Sequence, residues 1–211
     1  FAAIREKDVL LHHPFQSFTP IMDFLRQAAR DPAVLAIKQT LYRSGADSAV
    51  VEALIEAARN GKDVTVIVEL MARFDEEANI NWAERLEEAG AQVVYGVVGL
   101  KTHAKMALVL RREPDGLRRY AHLGTGNYNS TTAKFYTDFG LLTCHDGIAR
   151  EVNEVFIHLT SLTKPHRLSH LWLAPFALQN EIIKAIRNEA RIARAGRPAR
   201  IIVKINALVD E

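Results

Sequence analysis

Val34-Leu35-Ala36-Ile37-Lys38-Gln39-Thr40-Leu41 opens the stretch that decides the fold: an apolar run that reads as a strand, with Asp47-Ser48 next as a helix cap. The helix runs over Ala49–Arg59 and stops at Asn60-Gly61, and residues 64–70 form the next β-branched apolar run. The pattern then repeats. Asp75 opens a helix through Glu88, Gly90 ends it, and residues 92–98 read as a third strand. Strand and helix alternating in this way predict a parallel βαβαβ core. Upstream, Thr19-Pro20 starts a helix over residues 21–29, which Asp31-Pro32 breaks. Downstream the rhythm changes. Residues 104–110 and 118–123 form a hairpin joined by the polar connection 111–117, so the sheet becomes mixed. A strand at 140–143, a helix at 148–162, a linker containing Lys164-Pro165-His166, a helix at 178–195 and a final strand at 201–205 complete the expected order.

Composition bounds the function classes. With 211 residues and 48% hydrophobic content, the chain can bury a substantial core. No apolar run is long enough to cross a bilayer, and Phe1-Ala2-Ala3-Ile4-Arg5 carries no signal-peptide pattern; both ends are expected to be cuts through a longer protein. The lone Cys144, on an apolar segment, reads as a small packed residue and fits a cytoplasmic protein. Net charge is only +2, but it is unevenly spread: residues 69–88 hold seven acids, whereas residues 101–122 and 187–204 are basic. A polyanionic partner suits the first basic region, and a solvated helix face the second.

Lys101-Thr102-His103-Ala104-Lys105, answered by His122-Leu123-Gly124-Thr125-Gly126-Asn127, supplies a nucleophile, fixed positive charge and an amide-rich loop. If the strand begins at Lys101, then Lys101, His103 and Lys105 share one face. Ligands of parallel sheets gather at the carboxyl ends of the strands, and the first two strands run out toward Arg43 and Arg73. A strand folding back beside the third would begin at that same edge with His103 and Lys105, and the hairpin would return His122 there. A neutral imidazole attacks phosphorus readily and its phosphorylated form still donates, so His103 reads as a covalent relay. Lys105, Arg43 and Arg73 read as holders of phosphate oxygens, and Gly124, Thr125, Gly126 and Asn127 as a loop whose N–H groups approach phosphate. Taken singly, each of these has a bland alternative: a chance His-x-Lys, a structural His122, a tight turn, or surface ion pairs. Convergence at one sheet edge favours the chemical reading. His12 and His13 read as a strand end, one on each face, in preference to metal ligation.

Several motifs then match one family in the same order: Leu10-Leu11-His12-His13-Pro14-Phe15, Ala36 to Arg43, Ala72 to Asn79, Gly99 to Lys105, and His122 to Asn129 through Tyr136-Thr137-Asp138. Across almost its whole length the chain resembles the C-terminal catalytic part of bacterial polyphosphate kinases. The resemblance implies an α/β fold of phospholipase D type, a mixed sheet flanked by helices on both faces. It divides the chain into a first catalytic subdomain over 1–164 and, over 165–211, a linker helix with the opening strand of the second. It implies reversible transfer of the terminal phosphate of ATP to polyphosphate, with Mg²⁺ and a phosphohistidine at His103. His122 matches a second active-site histidine and Tyr136 a nucleotide-contacting tyrosine. Arg43 and Arg73 match positions at the magnesium site, where a guanidinium, having no lone pair, serves as a phosphate ligand beside the metal. ATP and polyphosphate are the implied partners, in a homo-oligomer of the longer enzyme, with no nucleic acid and at most peripheral membrane association; the fragment by itself is expected to be inactive. Leu110 stands where phospholipase D enzymes carry an acid, which sets a diesterase or nuclease half-site second, and a polyanion-binding module remains the non-enzymatic alternative.

Overall fold

The computed structural model of the chain describes residues 1–42, 48–69, 76–97, 99–161, 163 and 168–205, apart from the side chains at 76 and 78. It divides into two units, Phe1–Arg167 and Leu168–Glu211. The described strands of the first unit are β1 Val9–His13, β2 Val34–Leu41, β3 Asp63–Val68, β4 Gln92–Val94, β5 Lys105–Glu113, β6 Gly116–Gly124 and β7 Asp138–Thr143. They form one mixed sheet in the order β1-β7-β6-β5-β2-β3-β4. The parallel core expected from the sequence is β2, β3 and β4. β5 runs antiparallel to β2, however, and not beside the third strand of that core. The reason lies in strand length. β4 has three residues and offers few ladder bonds, whereas the free edge of β2 is eight residues long and matches the long β5.

Helices cover both faces. α1 is the short Ala2–Glu6 turn beside β7, and α2 Thr19–Arg30, α3 Ala49–Arg59 and α4 Glu76–Glu88 follow in the chain. Apolar residues of α2, α3 and α4, among them Leu25, Leu54 and Leu86, close over Leu11, Ile37, Val66, Ala107, Val109, Tyr120 and Leu142 in one cluster. Each large aliphatic chain buried there contributes about 1.5–3 kcal/mol. α5 Asp146–Ser161 packs on the other face, where Lys38 on β2 donates to Asn153 at 3.1 Å. Local signals explain the boundaries: Ser48 caps α3 by accepting from the Val51 amide, and Gly61, at φ 76°, turns the chain out of that helix.

The hairpin is longer than its sequence suggests. Residues 111–113 and 116–117, read as a polar connection, are strand, and only Pro114 and Asp115 make the turn. Acids neutralise this end. Arg111 bonds Asp31 at 2.8 Å and Glu113 at 2.7 Å, Arg118 bonds Asp115 at 2.7 Å, and Arg5 reaches both Glu113 and Asp115. Burial works against ionisation of Glu113, but the Tyr120 hydroxyl and Arg111 outweigh it and hold the carboxyl below its ordinary value. The basic region 101–122 is therefore split between two ends of the sheet, and Arg111 and Arg118 at the far end already have carboxylate partners.

Two expected strands differ. The third stops at Val94, with only a bridge between Val97 and Leu100 beyond it. Residues 201–205, in the second unit, are not strand; a lone apolar segment has no ladder without a partner, and none is present among the described residues. That unit contains α6 Leu178–Arg194, ended by Gly196 at φ 71°, with Ile182, Ile183 and Ile186 exposed. No described helix is long and apolar enough to cross a membrane.

Candidate active site

One edge of the sheet collects the ends of β1, β2, β3, β4 and β6 and the starts of β5 and β7. His103 reaches this edge on an irregular segment, because β5 begins only at Lys105 and residues 101–104 are not strand. The shared strand face expected for Lys101, His103 and Lys105 is thus replaced by a different arrangement. Lys101 and His103 are exposed, while Lys105 is buried and its ammonium donates to the His103 carbonyl at 2.6 Å. Tyr42, at the end of β2, packs its ring edge-on to His103 with centroids 4.8 Å apart, and the Lys105 ammonium lies 4.8 Å from the same ring. A cation over an aromatic face is attracted by the ring quadrupole.

The peptide groups around His103 are held by buried side chains. The Glu69 carboxylate, just beyond β3, accepts from the Thr102 amide at 2.8 Å. Thr40 on β2 donates to the Ala104 carbonyl at 2.8 Å and accepts from the Met106 amide at 3.0 Å. Asn79 on α4 donates to the carbonyls of both Tyr42 and Glu69, locking the ends of β2 and β3 together. The nucleophile candidate is exposed while the backbone carrying it is fixed, which is the form that preorganisation takes in a covalent catalyst.

His122 is placed differently. Its ring lies inside the sheet–helix interface at 2% exposure, with Nδ1 2.6 Å from the Tyr128 hydroxyl. Burial, with a smaller contribution from His13, lowers its pKa to about 3, so the ring is neutral at physiological pH. The glycines beside it have packing reasons. A Cβ on Gly124 would stand 3.1 Å from His122 Cε1, and one on Gly126 would stand 2.5 Å from a carboxylate oxygen of Asp138. Thr125 donates its hydroxyl to Asp138 at 2.7 Å, and its amide bonds the Phe139 carbonyl. The Asn127 carbonyl accepts from the Asn129 amide. Tyr136 follows a short 3₁₀ turn, Thr132–Lys134, and is 66% exposed. Arg43 and Arg73 lie outside the described residues. Among the described residues, no group of three or more His, Cys, Asp or Glu side chains is placed to hold a metal ion.

Comparison with known proteins fits this arrangement. The family model described as "Polyphosphate kinase C-terminal domain 1" matches residues 1–165, and "Polyphosphate kinase C-terminal domain 2" matches residues 171–211. The chain belongs to the polyphosphate kinase family. It is 58% identical to a polyphosphate kinase of Burkholderia multivorans and 57% identical to one of Neisseria meningitidis serogroup C, over all of its own length and 31% of theirs. This member of the family therefore spans about a third of the length of those relatives. The crystal structure of polyphosphate kinase from Porphyromonas gingivalis matches 92% of the chain and 32% of that protein, with a TM-score of 0.81 at 39% identity. Nuc of Salmonella typhimurium, a phospholipase D family member, shares the fold over 76% of the chain and 98% of its own, with a TM-score of 0.57 at 15% identity. The α/β, phospholipase D-like class expected from the sequence is thus found.

Several residues of this edge carry no sequence signal as strong as a His-x-Lys. Glu69 counts only among the seven acids of residues 69–88, and Thr40, Tyr42, Asn79 and Tyr128 fall inside the family-matching stretches without a role of their own. Glu69 falls near the end of a run, 64–70, predicted to finish at the ligand-binding edge, and that position was the available clue.

Proposed function

We propose that this chain carries the phosphohistidine half-site of a polyphosphate kinase, with His103 as the covalent relay. An imidazole nitrogen of His103 attacks the γ-phosphorus of ATP. The N–P bond forms as the bridging P–O bond breaks, and ADP leaves with the electron pair. In the second step a terminal oxygen of polyphosphate attacks the same phosphorus, the N–P bond breaks, and the ring regains its lone pair. The reverse sequence makes ATP. The observation that carries this reading is the pairing of an exposed His103 ring with a backbone held at Thr102, His103 and Ala104 by Glu69, Lys105 and Thr40.

Lys105, fixed against the His103 carbonyl, is assigned as a source of positive charge for the transferring phosphate. Arg43 and Arg73 are assigned as phosphate ligands, and Tyr136, with its exposed ring, as a contact for the nucleotide. Gly124 to Asn127 close one side of this edge. Among the described residues no group of three or more His, Cys, Asp or Glu side chains stands ready for a metal ion. Magnesium enters this reading as the companion of the ATP phosphates, in keeping with its habit of using substrate oxygens and water. The remaining catalytic half, including the continuation of residues 165–211, belongs to the longer enzyme, in which a homo-oligomer of cytoplasmic location is proposed.

The decisive experiment uses that longer enzyme. Brief incubation with γ-labelled ATP and Mg²⁺ should leave acid-labile phosphate on His103, detected by mass spectrometry, and His103→Ala should abolish it. Label retained in the variant overturns the assignment. Hydrolysis of a phosphodiester without labelling would instead favour a diesterase.

A further inference from the structure

His13 on β1 and His122 on β6 lie on the same sheet face, on either side of β7. Their exposures are 3% and 2%, and the outer nitrogen of each ring, Nε2, has no hydrogen-bond partner among the described residues. Both nitrogens face one place: a Cβ on Gly140, the β7 residue between them, would stand 2.9 Å from His122 Nε2 and 3.5 Å from His13 Nε2. A third buried atom without a partner, Asn127 Oδ1, belongs to a residue lining the same cavity. That cavity, bounded also by Gly124 and Asp138, offers about 10 Å³ to the centre of a water-sized sphere. This is about the room that one water needs.

The protons can be assigned from the partners. His13 Nδ1 lies 2.8 Å from the Gln16 carbonyl, which only accepts, so Nδ1 carries the proton and Nε2 of the neutral ring presents a lone pair. When the Tyr128 hydroxyl donates its proton to His122 Nδ1 at 2.6 Å, His122 Nε2 becomes an N–H donor. In that arrangement the three unpartnered atoms are one donor and two acceptors, beside the Asp138 carboxylate that also lines the cavity. A metal ion or an ammonium would meet the N–H head-on, whereas water has the complementary set. Three buried polar atoms left unsatisfied would each cost about 1–3 kcal/mol.

We infer that one water molecule is an integral part of this site, accepting from His122 Nε2–H and donating to His13 Nε2 and Asn127 Oδ1. His122 is then a positioning residue that ties β6 and the following turn to β1 through this water. The inference stands on the cavity and its donors and is independent of the kinase reading.

The test is long-range ¹H–¹⁵N NMR of the histidine side chains of the 211-residue chain at pH 8. The expected spectrum has His13 protonated at Nδ1 and His122 at Nε2, with a cross-peak from His122 Hε2 to a long-lived water. An unprotonated His122 Nε2 overturns the inference. So does coordination of added stoichiometric Zn²⁺ by both Nε2 atoms, which would make this a cation site. Gly140→Ala puts a methyl into the cavity and should abolish the water cross-peak, and its persistence overturns the placement. Should that variant not fold, the wild-type tautomers and cross-peak decide alone.

Discussion

His103 precedes β5 on an irregular segment with its ring exposed, whereas His122 lies within β6, buried and neutral, with Tyr128 on one nitrogen. Both stand at one sheet edge, and both follow from the same motif-rich sequence. The difference teaches that proximity in a motif does not assign a role. An exposed ring on a fixed backbone can react and be regenerated, while a ring enclosed by glycines and a tyrosine holds strands together. Exchanging alanine for each should therefore separate activity from stability. His122→Ala is expected to lose about 2–4 kcal/mol, since it opens a cavity and leaves Tyr128 without its partner. His103→Ala should change stability by less than about 0.5 kcal/mol, the ordinary range for surface positions, while removing all covalent phosphate. Urea unfolding of the two variants checks this, and an equal loss in both would break the contrast.

Glu69 sharpens the same comparison, because it lends the exposed segment the rigidity that His122 receives from burial. Glu69→Ala removes the acceptor of the buried Thr102 amide and should cost about 1–3 kcal/mol. In the longer enzyme it should also slow phosphorylation of His103 without a matching change in KM for ATP. Glu69→Gln keeps an acceptor at that place and is expected to restore most of the rate. If Gln behaves as Ala does, the carboxylate acts by its charge and the positioning account of Glu69 fails.

How much of this was legible in the sequence depended on what each residue had to contend with. The bounds of β2 and α3 were readable because apolar runs are bracketed by a Ser cap and an Asn-Gly stop, local signals with local consequences. The ends of β5 and β6 were not, since the charged run through Arg111, Arg112, Glu113, Asp115 and Arg118 mimics a loop, and the one balancing acid from another segment, Asp31, carries no local signal. His103 was singled out by its spacing to Lys105, yet the spacing suggested a strand face where the protein uses a carbonyl bond. Gly126 was read as a phosphate approach, and its close packing against the carboxylate of Asp138, on a strand that follows later in the chain, was not foreseen.

Acid should probe His122 selectively. Its pKa, about 3 when folded, lies below the ordinary 6.5, so between these values the unfolded chain binds a proton that the folded chain does not. The contribution is fully present above pH 6.5 and is lost as pH falls toward 3, at about 1.4 kcal/mol for each unit. Wild-type stability from urea unfolding at pH 7, 6 and 5 should carry this slope on top of other groups, and His122→Asn should lack it. Identical slopes would mean that the ring is not held neutral.

The smallest effect concerns the other end of the hairpin. Arg111 stands six residues along β5 from Lys105, about 20 Å at strand rise and beyond the Debye length of about 10 Å at 0.1 M salt. Burial pushes the Asp31 carboxyl up, but the bonds from Arg111 and from the Ala33 amide outweigh it and leave it below its ordinary value. That sign means the stabilisation is present above the unfolded pKa near 3.8 and is lost as pH falls below it. Arg111→Ala should accordingly cost about 1 kcal/mol at pH 7 and progressively less below pH 4, read from melting curves across that range. Phosphate labelling of His103 in the longer enzyme should stay within about twofold of wild type, because screening isolates the two ends. A larger fall in labelling would mean that the far-end arginine and the His103 edge are coupled along the strands, and the division of the basic region into a structural end and a reactive end would have to be given up.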